Sequence, residues 1–109
     1  MLWNPKHDKP IETTEPWRLI LLRAADLIEQ RGHCKGWATD GSGALCMGGA
    51  INLVDTGNAI YLFSRSNAGQ QAAQQLHEFC GYNFVKFNNA EATTAADAVA
   101  KLRACANAR

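Results

Sequence analysis

A chain of 109 residues, 47% hydrophobic and 19% charged, is long enough for one domain with one modest core and too apolar for a disordered segment. Its net charge of +1 argues against binding nucleic acid by phosphate neutralisation, and equally against acidic mimicry of DNA. No stretch is long enough to span a membrane, and the four cysteines, Cys34, Cys46, Cys80 and Cys105, come without a signal-like apolar run, so a cytoplasmic protein with reduced thiols is expected.

Residues 1–13 hold two of the three prolines and are strongly polar; they read as a flexible N-terminal arm, ordered only where Trp3 finds a pocket, with 14–109 as the single globular domain. Thr14 is placed to cap a first helix over about 15–31, with Pro16 in its first turn. Trp17, Ile20, Leu21, Ala24, Leu27 and Ile28 make one apolar stripe, and Gly32 ends the helix. Arg18, Asp26 and Glu29 fall off that stripe and read as ordinary solvated surface.

Between His33 and Leu45, Asp40-Gly41-Ser42-Gly43 is a turn by composition. It predicts a small antiparallel ribbon with strands Cys34–Ala38 and Ala44–Met47. The segment Leu45–Val54 carries no charge and contains Gly48-Gly49. It predicts the centre of the core, with a short helix from about Gly48 to Asp55 and glycines that let another backbone come close. Ala59–Phe63 is too short an apolar run to type. Ser66 or Asn67 caps a third helix ending at Cys80, with Ala72, Ala73, Leu76, Phe79 and Cys80 inward. Tyr82–Phe87 reads as a connector. Thr94 with Asp97 forms a capping box for the last helix, whose inner face is Ala95, Ala98, Val99, Leu102 and Cys105 or Ala106. The expected fold is α+β and mainly α: four helices, with the two-stranded ribbon between the first and second.

The order of these pieces carries a resemblance. Leu22–Ile28 runs into Arg31-Gly32-His33-Cys34-Lys35-Gly36; Asp40-Gly41 and Leu45–Ile51 follow; Phe87-Asn88-Asn89 precedes Thr94–Val99. Over about residues 17–106 this resembles domain of unknown function 6197, small proteins of bacteria and phages. The resemblance implies a shared fold and brings no activity with it.

Cys46, just before a helix start, is the candidate nucleophile, because backbone N–H groups there favour a thiolate and His33 or His77 could take its proton. The plainer reading, a small buried apolar residue, is how a free cysteine usually behaves, and the local sequence matches no cysteine-protease signature. Cys34, Cys46, His77 and Cys80 offer zinc ligands, yet Cys34 and Cys46 do not form a Cys-x-x-Cys knuckle, and no metal or cofactor is expected. Asn88-Asn89 with Glu91 could hold a polar ligand, or satisfy loop backbone. From Ala38 to Val85 the charged residues are Asp40, Asp55, Arg65 and Glu78 alone. Low charge with aromatics is the composition of interface cores. The binding candidates are therefore Tyr61, Phe63, Arg65 and Tyr82, with Trp37 as either core or contact. The reading is a non-enzymatic module that acts through a protein partner or self-association, as an accessory or inhibitor protein of a phage or mobile element. The alternative is a small cysteine-dependent hydrolase or transferase using Cys46.

Overall fold

The computed structural model describes residues 15–60 and 65–108. Among them the chain forms five helices: α1 (Pro16–Arg31), α2 (Met47–Thr56), α3 (Asn67–Cys80), α4 (Phe84–Asn89) and α5 (Ala95–Asn107). The expected arm, its Trp3, the Thr14 cap and residues 61–64 lie outside the described residues.

The apolar periodicity of α1 decides the arrangement. Trp17, Ile20, Leu21, Ala24, Ala25 and Ile28 are buried, and this face packs most extensively on α5 and also on α2 and α3. From α5 it receives Ala98, Val99, Leu102, Cys105 and Ala106. The alanines keep the two helices close, while Leu21, Ile28 and Leu102 fill the volume between them. Each such side chain contributes about 1.5–3 kcal/mol of burial before entropy is set against it. The Leu45–Ile51 segment also reaches the core, with Leu45, Met47 and Ile51 fully buried.

Helix ends follow local chemistry. At the N-cap of α1 stands Glu15, without a side-chain cap bond; its carboxylate instead accepts from Arg18 Nε and Trp17 Nε1. Ser66 caps α3. Thr94 and Asp97 satisfy each other's backbone N–H groups as a capping box for α5. Arg18 is not simply solvated: its guanidinium donates to the carbonyls of Ala106 and Ala108 at the end of α5. Asp26 and Glu29 both accept from Arg103 of α5.

The α+β expectation is corrected. The described residues contain no strand, and the segment expected as a ribbon forms two isolated bridges, His33 with Leu45 and Thr39 with Leu45. Leu45 donates its N–H to Gly32 O, and its carbonyl accepts from Cys34 N. Cys46 N and Asp40 N pair with Ala38 O and Ala44 O. A ladder would need the next polar groups along residues 34–38 as well. Two of those are already taken: the Cys34 carbonyl by Asn88 Nδ2, and the Gly36 N–H by Asn89 Oδ1. Gly36 also has φ +82°, which turns the chain out of the extended region.

The expected connector Tyr82–Phe87 is corrected too, because it contains the start of α4. Phe84 and Asn88 are its buried residues, four apart and on one face, whereas Val85 is exposed. Six residues are too few for helical periodicity to stand out from alternation.

Candidate functional site

The most unusual surface feature is Trp37, 77% exposed on the α1–α2 loop. Side-chain bonds hold the loop around it. Asp40 Oδ1 accepts from the N–H groups of Ser42 and Ala44 and from the Ser42 hydroxyl. These bonds, the Ser42 hydroxyl first, hold the Asp40 carboxyl below its ordinary range. The Cys34 thiol lies 3.3 Å from Trp37 O and 3.6 Å from Ala44 O, and its single S–H is shared between the two arms of the loop. Burial, with Cys46 and Asp40 nearby, pushes this thiol up.

The loop is clasped from two sides. On one side Gly49 of α2 lies beneath Ala38 so closely that a Cβ there would stand 2.1 Å from the Ala38 carbonyl oxygen. On the other, buried Asn88 of α4 spreads its amide across three segments. Its Oδ1 accepts from Met47 N at 2.9 Å and lies 2.7 Å from His33 Nε2, while Nδ2 donates to Cys34 O at 3.2 Å and to Asn89 Oδ1 at 3.0 Å. Lys35 Nζ adds bonds to the carbonyls of Ala90 and Glu91.

The nucleophile candidates separate. Cys46 is half-buried at the N-cap of α2, where its sulfur accepts from Gly49 N. His33 comes to the same corner, but its Nε2 faces Asn88 Oδ1. His77 is occupied elsewhere: Nδ1 accepts from Phe84 N, and the ring stacks on Phe84 with centroids 4.6 Å apart. Neither histidine hydrogen-bonds to Cys46. Cys34, Cys46, His77 and Cys80 do not assemble either, and among the described residues no three His, Cys, Asp or Glu side chains are grouped to hold a metal.

The binding candidates are scattered. Tyr61 and Phe63 lie outside the described residues. Arg65 turns inward, where its Nε donates to Asn52 Oδ1 at 2.6 Å, and Asn52 in turn donates to Ala59 O. Ser66, next in the chain, gives both N–H and hydroxyl to Asp55. Tyr82 is 49% exposed on the α3–α4 linker. There it lines a shallow depression with His77, Glu78, Gly81 and Asn83.

Sequence reasoning missed the exposed neighbours Phe79 and Val85. Phe79 was expected inside, but its ring stands under Lys101 Nζ at 5.6 Å, as Phe87 does at 4.9 Å. The signal that could have found Asn88 is its place four residues after Phe84, a spacing that puts both on one helical face.

The model of the family described as "Family of unknown function (DUF6197)" matches residues 12–108. No curated protein and no solved structure matches the chain. No helix among the described residues is long and apolar enough to cross a membrane.

Proposed function

The chain belongs to that family of unknown function, and from this premise we propose that it is a non-enzymatic protein-binding module with Trp37 as its anchor. The carrying observation is a tryptophan 77% exposed on a loop whose arms are tied to α2 and α4. An aromatic side chain with two torsions on a loop already ordered loses little entropy on association, and tryptophan is among the residue types most enriched in binding hot spots. Tyr82, Phe79 and Val85 supply further exposed apolar area on the α3–α4 side. The histidine geometry supports this reading over a cysteine hydrolase, which needs a base in hydrogen-bond reach of its thiol. A role in the cytoplasm as an accessory or inhibitor protein of a phage or mobile element is the finer form of the proposal, and it rests on small size and the family resemblance.

The test compares the parent protein with Trp37→Ala in affinity purification from host lysate and in size-exclusion chromatography with light scattering. The expected result is a partner, or a self-associated form, whose binding weakens about 30-fold or more in Trp37→Ala, with the thermal midpoint unchanged. Equal retention of every partner by the variant, or a strict monomer that captures nothing, overturns the anchor assignment.

A further inference from the structure

The α3–α4 junction is held by a contact that exists in one protonation state. A backbone N–H can only donate, so the His77 Nδ1 that faces Phe84 N at 3.0 Å carries a lone pair, and the ring is neutral with its proton on Nε2. Phe84 is the first residue of α4, so His77 supplements the Asn83 side chain, which caps Val85 N. The same ring stacks on Phe84 at an interplanar angle of 21°. Phe84 is buried and packs over Gly48 of α2, where a Cβ would lie 3.4 Å from its ring. One imidazole thus holds α4 by its first N–H and its main core side chain.

We infer that His77 is a proton-sensitive latch on α4: the neutral ring seats the helix, and protonation of Nδ1 sets two donors against each other and releases it. The surroundings oppose the charged form. Burial comes first and the Arg65 charge second in holding the imidazole below its ordinary value of 6.5. Among the described residues the groups facing it are Arg65 from the segment before α3, and Glu78 and Tyr82, which share its depression. From α4 comes Phe84; the titratable residue of that helix, Lys86, lies in its last turn.

The sign follows from linkage. A histidine whose folded value is depressed binds fewer protons folded than unfolded. Its contribution is complete above about 6.5 and is lost as pH falls from there towards the folded value. Asn88 lies one turn beyond Phe84 on α4, so release also slackens the clasp on the Trp37 loop. Any effect on binding rests on Trp37 being the anchor. Exchange protection reads the latch alone, so the two ideas fail separately.

The experiment is amide hydrogen exchange on the full chain between pH 7.5 and 5.0, corrected for intrinsic rates. Protection at Phe84–Asn89 should fall by up to about tenfold per pH unit below 6.5, and amides in the middle of α1 and α5, which open only with the whole fold, should lose no more than the same factor. In His77→Phe, which keeps a stacking ring, protection at α4 should no longer depend on pH. A side-chain NMR titration of His77 in the parent protein needs no variant and should give a midpoint below 6.5. PH-independent protection in the parent, an unchanged pH loss in His77→Phe, or a His77 midpoint at or above 6.5 overturns the latch.

Discussion

The α1–α5 pair and the α1–α2 loop are built on opposite principles. Between α1 and α5 the contact is a face of alanines, leucines, isoleucine and valine, with Arg18 and Arg103 fastening the edges. Its energy is spread over many small apolar contacts, none of which needs a particular atom in a particular place. The largest apolar side chain of the loop, Trp37, is 77% exposed and does not hold it in place. The loop keeps its shape because the Asn88 amide, the Cys34 thiol, the Asp40 carboxylate and the absent Cβ of Gly49 each satisfy one geometric demand. The first kind of construction tolerates change, and the second is brittle at a few named atoms.

The largest expected break is Gly49→Val. Its Cβ would meet the Ala38 carbonyl oxygen at 2.1 Å, and backbone cannot yield as a flexible side-chain end can. The loop or α2 must move, at a cost of about 2–4 kcal/mol. Denaturant unfolding measures it; an unchanged midpoint would mean that the loop does not rest on α2.

The sharpest test of the contrast uses two swaps of similar volume. Leu102→Met lies in the α1–α5 core and should cost less than about 1.5 kcal/mol, because apolar volume is conserved. Asn88→Leu keeps the shape and removes the amide, leaving Met47 N–H and Cys34 C=O buried without partners. That should cost at least about 2 kcal/mol, at roughly 1–3 for each stranded group. Equal costs in the two variants would erase the distinction between the regions.

The smallest effect belongs to Arg103→Met. Its carboxylate partners Asp26 and Glu29 are half exposed, and ion pairs so open to solvent are worth little, about 0–1 kcal/mol. A loss above about 2 kcal/mol, measured by the same unfolding assay, would show that α1 and α5 depend on specific atoms after all.

Legibility in the sequence followed the same divide. The stripe of α1, the Thr94–Asp97 box, the Ser66 cap and the inner face of α5 from Ala98 onward can be read because each is repeated at helical spacing or set within three residues of its partner; Ala95, expected on that face, is exposed in the first turn. Of Leu45–Val54, expected at the centre of the core, Leu53 and Val54 are only half-buried, and the expected close backbone approach occurs at Gly49, while Gly48 faces the Phe84 ring. Asn88-Asn89 reads as a pair that satisfies loop backbone, and the sequence does not show that the backbone is that of Met47, Cys34 and Gly36. The turn chemistry of residues 34–47 predicts a ribbon that does not form, because the asparagines that take the hydrogen bonds of the first arm lie more than fifty positions away. Phe79 was misplaced because helical periodicity says which residues share a face, not where cover ends.

What the sequence by itself determined is therefore the local half of the molecule: where four of the helices lie, which faces turn inward, and a middle segment poor in charge. Local steric and capping rules act over three or four residues, and those residues are adjacent in the chain. Only the tertiary structure decided that the α1–α2 loop is not a ribbon, that His77 meets Phe84 N and not Cys46, and that Trp37 stands in solvent. Each of these depends on one polar atom or one missing Cβ brought from a distant segment, and hydrogen-bond geometry over such distances leaves no period in a sequence.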